Sequence, residues 1–430
     1  MSPLSAGKSA AAWFCAFLLA LPLLGASATP AQAQTAPGPN DWPQYRGPTR
    51  NGVSTEKGWL TQWPQGGPKP LWKMNVGVGA SAVTVCGGRL YTMGNVANED
   101  VIRCIDPETQ KMIWEFKYPC KFDKRSFEGG TAATPVTDGK YVYTLSYTGK
   151  LLCLDATGSD DAKRKVWEKT LQRDFGGKPG GWGYAGSPLI EGNLLILDAG
   201  GNGSANLALD KTTGALVWKS GSGNAGYSSP VAYSLGSQRL VTLFRASGVV
   251  GVDAGSGAEL WRVPWPTEYE CAAATPIVDG NKLFISTGYG PGLSGVIQLD
   301  AGKPAILWQN KSLKNHFSSS VIWQGYVYGF SGQGGDANAQ LKCLDLQTGA
   351  EKWKHTGFGA GSLILADGKL IVLGESGDLA VAPASPEGFT PIAQAHVVGA
   401  RCWNEPVLSH GLLYCKNNQG DLVCLDLRGQ

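Results

Sequence analysis

The chain has 430 residues, a formal charge of +3, 60 glycines and 10 cysteines. So small a net charge excludes a strongly electrostatic nucleic-acid surface. The length alone would suggest two or three domains, but the glycine content points to many tight hairpins, and an aromatic content of 10% needs a large core to bury it.

The N-terminus reads as a targeting segment. Lys8 supplies a weak positive region, the stretch from Ala10 to Leu24 is apolar but short for a membrane span, and Ala31-Gln32-Ala33 offers a small-residue cleavage motif. Residues 1–33 are therefore expected to be a signal peptide, a retained anchor being the alternative. The mature chain would then be exported, periplasmic or secreted, with no stable membrane span. Residues 34–69 read as a Pro/Gly-rich linker followed by a segment, Trp42-Pro43-Gln44-Tyr45-Arg46-Gly47-Pro48, that packs on the rim of whatever follows.

From residue 70 onward a repeat takes over. Pro70-Leu71-Trp72-Lys73-Met74-Asn75-Val76 reads as an isolated strand. Hairpin turns then fall at Gly87-Gly88, Asp138-Gly139, Glu191-Gly192, Gly236-Ser237, Asp279-Gly280, Gln324-Gly325, Asp367-Gly368 and His410-Gly411, each between strand-like apolar runs. Their spacing, about 43 to 53 residues, is that of propeller blades. A third strand ends in each unit at Leu-Asp or a close variant, as in Cys153-Leu154-Asp155, Cys343-Leu344-Asp345 and Cys424-Leu425-Asp426. A Thr-Gly or Ser-Gly turn and a strand bearing Trp follow: Trp114, Trp167, Trp218, Trp261, Trp308 and Trp353. Unit seven is degenerate, with Val381-Ala382 in place of Leu-Asp and no Trp in the strand that follows Gly388. Unit eight stops at Leu427, before a fourth strand.

The fold predicted is all-β: an eight-bladed β-propeller of four-stranded antiparallel blades over residues 70–430. The N-terminal strand 70–76 completes the last blade, and this closure removes exposed sheet edges.

Nine cysteines remain after residue 33, an odd number with no Cys-x-x-Cys, so neither a disulfide scaffold nor a zinc or haem motif is indicated. Cys104, Cys153, Cys343 and Cys424 read as small core residues. Cys415 and Cys424 flank one hairpin and could pair across it. Cys120, Cys271 and Cys402 stand apart, in connections leading to first strands. Lys163-Arg164-Lys165 reads as a solvated hairpin.

The runs Gly149-Lys150-Leu151-Leu152-Cys153-Leu154-Asp155, Leu209-Asp210-Lys211-Thr212-Thr213-Gly214-Ala215-Leu216-Val217-Trp218 and Cys343 to Trp353 resemble repeats of the quinoprotein (PQQ-like) β-propeller family, which includes BamB-like exported repeat proteins. The likeness extends over residues 70–427. It implies the propeller fold but not one activity, because the family holds both pyrroloquinoline-quinone dehydrogenases and non-catalytic scaffolds. The dehydrogenases carry an adjacent Cys-Cys pair and a Glu, Asn and Asp set around calcium. This chain has no Cys-Cys, and that set cannot be placed by motif.

Function in a propeller sits on the connections at one face. The longest, between fourth and first strands, concentrate aromatic and charged residues. The ligand-binding candidates are Arg125, Glu128, Trp182, Tyr184, Tyr227, Arg245, Glu270, His316, Arg401, Trp403, Asn404 and Glu405. No catalytic residue, metal ligand or cofactor is assigned, although PQQ with calcium stays open. The reading favoured is a binding or scaffolding module for a polypeptide or glycan partner. The alternative is an enzyme using the same face, either a PQQ-dependent dehydrogenase or a carbohydrate-active hydrolase or lyase. Convergence of Glu270, His316, Arg401 and Glu405 on one open pocket would favour that alternative.

Overall fold

A computed structural model describes residues 36–64, 66–124, 128–300 and 303–429. The expected signal peptide and Arg125 lie outside the described residues. Among these residues the strands form eight sheets, each with an antiparallel meander of four strands. The first strands of the blades are Thr84–Cys86, Val136–Thr137, Leu189–Glu191, Val231–Leu235, Ile277–Asp279, Val321–Trp323, Ser362–Ala366 and Val407–Ser409. From blade 1 to blade 7 successive first strands touch one another, so the first strands form the inner wall of the ring. Among the described residues helix is confined to two single turns, Asp161–Arg164 and Leu171–Phe175.

Ring closure is as the repeat predicts. Strand Pro70–Asn75 pairs with Asp421–Asp426 and completes blade 8, with Trp72 opposite Cys424. Blade 7 does have a fourth strand, Ala393–His396, but without the tryptophan. It also gains a fifth strand: Val53–Ser54 adds in parallel to Ser362–Ala366.

The repeat residues explain the seams between blades. The outer-strand tryptophan of one blade donates its indole N–H to a backbone carbonyl just after the third strand of the next. Trp72 reaches Pro107 at 2.7 Å, Trp114 reaches Ala156 at 2.9 Å, Trp218 reaches Ala254 at 3.1 Å and Trp308 reaches Leu346 at 2.8 Å. Each bond satisfies a polar group that burial would otherwise strand. The glycine of the neighbouring Thr-Gly or Ser-Gly turn lies against the same ring. A Cβ on Gly257 would sit 2.3 Å from Trp218, and one on Gly349 would sit 2.5 Å from Trp308. The repeat aspartate shapes that turn, Asp210 Oδ1 accepting from the Thr212 and Thr213 amides at 3.0 and 2.9 Å.

Two expectations are corrected. Cys415 lies opposite Val423, and Cys424 opposite Tyr414. Alternating strand positions therefore point the two thiols to opposite faces of the blade, and all nine described cysteines are buried and unpaired. Arg164 is not solvated: it is 4% exposed, covers the Trp114 ring at 4.3 Å and donates to the Asp155 carbonyl at 3.3 Å.

The segment after the linker does not stay at the rim; it crosses the inner wall. Trp42 exchanges backbone hydrogen bonds with Val85 of blade 1 at 2.8 and 2.9 Å, the Pro43 carbonyl accepts from Thr137 of blade 2, and Arg50 donates to the Ile190 carbonyl of blade 3. On the opposite side Arg46 bonds to the Ser320 carbonyl and Glu405, and the Gly52 carbonyl accepts from Leu365. This strap ties blades 1, 2 and 3 to blades 6, 7 and 8 beneath the centre of the ring.

Candidate functional site

Two residues before the first strand, blades 1 to 7 carry a small side chain, and this opens the centre of the ring. Six equivalent positions are linked in a chain by five hydrogen bonds. The Ala82 amide donates to Thr134 Oγ1, Thr134 to Ser187 Oγ, Ser187 to Ser229 Oγ, Ser229 to Thr275 Oγ1 and Thr275 to Ser319 Oγ, all at 2.9 to 3.1 Å. The same register falls on Ala360 in blade 7 and Glu405 in blade 8, where the hydroxyl series ends.

Above this collar lies a cavity of about 470 Å³. Its wall is drawn from the connections into blades 1 to 6 and 8, and Tyr45 of the strap reaches it from below. Aromatic rings dominate. Trp182 pairs with Tyr227 at 5.6 Å between centroids, and Phe317 with Trp403 at 3.8 Å, while Tyr147 and Tyr289 add further faces. The acids are Asp123, Glu128 and Glu405. No lysine, arginine or histidine lines the cavity among the described residues.

Each acid is held differently. Glu405 is 4% exposed and takes a buried hydrogen-bonded ion pair from Arg46, whose side chain is itself wholly buried. Desolvation raises the Glu405 carboxyl above its usual range, and the Arg46 charge opposes that. Burial and the Glu405 charge push the Tyr45 phenol upward. Glu128 accepts from Arg401 at 2.8 Å and from Asn418 at 3.1 Å. Arg401 also lies 3.5 Å from Glu375 and 5.1 Å from the centre of the Trp403 ring. Glu375 in turn accepts from the Trp403 indole and the Gly335 amide.

A family model described as outer membrane protein assembly factor BamB matches residues 97–355. The chain belongs to this PQQ-like propeller family. Solved structures similar to it fall on both branches. BamB from Moraxella catarrhalis is 14% identical, with a TM-score of 0.62 over 84% of this chain and 99% of that one. The quinohemoprotein alcohol dehydrogenase ADHIIG from Pseudomonas putida HK5 is 12% identical, with a TM-score of 0.68 over 91% and 81%. A europium-containing methanol dehydrogenase is 10% identical, with a TM-score of 0.66 over 90% of each chain. No curated protein matches the sequence. At these identities the structural likeness establishes the fold of this PQQ-like propeller and leaves its chemistry to its own residues.

Of the candidates read from sequence, Glu128, Trp182, Tyr227, Trp403, Asn404 and Glu405 line the cavity. Arg401 backs its wall through Glu128 and Trp403. His316 sits behind that wall, its ring 3.5 Å from Phe317 and 4.6 Å from Tyr289, with Nδ1 accepting from the Gly334 amide at 2.9 Å. Burial holds its pKa down to about 3, so it is a neutral packing residue. The remaining described candidates lie away from the cavity. Tyr184 is core, its hydroxyl donating to the Ala199 carbonyl at 2.9 Å. Arg245 is 1% exposed and bound to Asp198 and Asn206 at 2.8 and 2.9 Å. Glu270 accepts twice from Asn224, at 2.7 and 2.8 Å. Glu270, His316, Arg401 and Glu405 therefore do not converge on an open pocket. Cys271 also lines the cavity, but burial raises its thiol to about 12, which leaves it protonated and unreactive.

Sequence reasoning missed Tyr45, Tyr147, Tyr289 and Asn418. The last three lie on connections between second and third strands, which open on the same face as the long connections. That shared face was the available signal. Tyr45 carried none, because nothing local places the strap beneath the ring.

The donor set argues against a quinone. PQQ is a planar tricarboxylate, and the described lining residues set acids against it with no basic partner. Arg46 and Arg401 already serve carboxylates. Among the described residues, no cluster of three His, Cys, Asp or Glu side chains is placed to hold a metal ion. The described residues do not fit a PQQ–calcium pair.

Proposed function

We propose that this chain is an exported binding propeller whose axial cavity seats part of a polypeptide or glycan partner. One observation carries this reading: the cavity is walled by aromatic faces and hydrogen-bonding acids, while the charged side chains an enzyme would need there are paired off or turned away. Such a wall recognises a group by stacking and hydrogen bonding, without activating it. The family match to an assembly factor supports a protein partner. No helix among the described residues is long and apolar enough to cross a membrane, and release after cleavage near Ala33 fits the exported reading.

The test uses the mature chain, purified with residues 1–33 removed. Calorimetry with PQQ and calcium, alongside a dye-linked alcohol oxidation assay, should show neither binding nor turnover. Affinity capture from a periplasmic extract, compared with the Trp403→Ala protein, should yield a partner lost with the ring. Quinone-dependent turnover would overturn the binding reading.

A further inference from the structure

The axial cavity is unusual in what its wall omits. Among the described residues no leucine, isoleucine, valine or methionine lines it. Its apolar surface comes from aromatic rings and from small side chains such as Ala80, Ala132 and Ala273. An aliphatic side chain gains most from aliphatic neighbours that close around it. Here flat rings alternate with polar groups instead.

The most available ring is Trp182. It lies in the turn Gly180-Gly181-Trp182-Gly183, where the Gly183 amide donates to the Gly180 carbonyl at 3.1 Å and the Trp182 amide donates to the Tyr227 hydroxyl at 3.2 Å. Its ring leans on Tyr227, 5.6 Å between centroids, yet the residue is 42% exposed. An indole held this firmly and left this open gives the fold little burial and serves as a platform. Tyr289 of blade 5, half-buried, adds a second ring to the same wall and meets Tyr269 edge-on at 5.5 Å.

The charges of the wall are already matched. Glu405 is paired with Arg46, Glu128 with Arg401, and Asp123 is engaged as well. An ion entering the cavity would give up hydration without meeting a free countercharge. Hydrogen-bonding capacity nevertheless remains. The Glu128 side chain is 22% exposed, and its two oxygens accept once each, from Arg401 at 2.8 Å and from Asn418 at 3.1 Å. A carboxylate oxygen has two lone pairs, so Glu128 can accept again without losing its partners. The strap crosses the ring beneath, with Tyr45 in the cavity wall, so what enters is a chain end. A polypeptide end is charged; a glycan end is not.

Resting on the binding reading above and choosing between its two partners, we propose that the cavity seats the neutral terminal residue of a glycan, a gluco-configured pyranose. Equatorial hydroxyls leave both faces of such a ring as bare C–H surface. One face stacks on Trp182, and a hydroxyl at the ring edge donates to Glu128.

The experiment is calorimetry on the mature chain with four probes: cellotriose, maltotriose, the cationic trimer of glucosamine, and a blocked Gly-Phe-Gly tripeptide. Cellotriose or maltotriose should bind, and the tighter of the two identifies the linkage. Its affinity should not change with salt, and the glucosamine trimer should bind at least about tenfold more weakly. Trp182→Ala should weaken the trisaccharide about tenfold, Trp182→Phe less, and Glu128→Gln several-fold, each with a melting curve that shows a folded protein. Trisaccharide binding that Trp182→Ala leaves unchanged overturns the assignment to this cavity. Binding of the tripeptide alone, or tighter binding of the glucosamine trimer, overturns the neutral-sugar assignment and leaves the binding reading standing. Binding of none of the four also overturns it, and turnover with PQQ and calcium overturns both.

Discussion

The outer seams of the ring and its axis are built by opposite rules. At the seams the same device recurs from blade to blade: an indole N–H meets the next blade's carbonyl, with a glycine under the ring. At the axis repetition holds only from Thr134 to Ser319 and then fails, at Ala360, Glu405 and Ala82. The polar chemistry of the cavity gathers beside that failure: Glu405, Asn404 and Asn418 of blade 8, with Arg46 and Tyr45 of the strap. Equivalent positions make a scaffold, and the departures from equivalence make a site.

The contrast can be broken first at Arg46. Arg46→Met leaves Glu405 buried without its countercharge and should cost about 3–5 kcal/mol, read as a lowered urea midpoint. Arg46→Met with Glu405→Gln should recover most of that loss. A single variant as stable as the parent would mean that the strap does not hold the axis.

His316 supplies the next effect. Its folded pKa of about 3 lies below the 6.5 of the exposed group, so the unfolded chain binds more protons between those values. Stability should be complete above about pH 6.5 and fall by about 2–4 kcal/mol as pH drops toward 3. His316→Phe should flatten this slope in acid-unfolding curves, and an unchanged slope would assign the acid sensitivity elsewhere.

Two glycines with left-handed backbones then separate seam from surface. Gly257→Ala drives a Cβ into Trp218 and should cost about 2–3 kcal/mol. Gly192→Ala meets no atom within 4 Å and should cost only about 1 kcal/mol of backbone strain. Equal thermal shifts for the two would remove the seam from the account.

The smallest stability effect belongs to the cavity wall. Trp182→Ala should change stability by under about 1 kcal/mol, because the ring packs mainly on Tyr227. A large loss in a denaturant titration would make Trp182 a structural plug and not a recognition surface.

Blade number, ring closure by residues 70–76 and the positions of Trp and Asp-Gly were legible because each depends on contacts within a hairpin or across one seam. The degenerate seventh unit was legible as a loss of signature, but not as a sheet that borrows Val53–Ser54 from far upstream. The candidate site was legible only as a set of connections. Trp182, Trp403 and Glu405 were picked out by residue type and line the cavity. Arg245 and Glu270 have the same credentials but find partners in Asp198 and Asn224, 47 and 46 residues away in the chain. Whether a charge is free for a ligand depends on such distant partners, and residue type cannot report them.

Local order, then, is written in the chain: alternating strands, aspartate-shaped turns and a period that can close only as a ring. The interior of that ring is a matter of three dimensions. Arg46 and Glu405 stand 359 residues apart, and only closure of eight blades over the strap brings them into one buried pair, with the cavity above it.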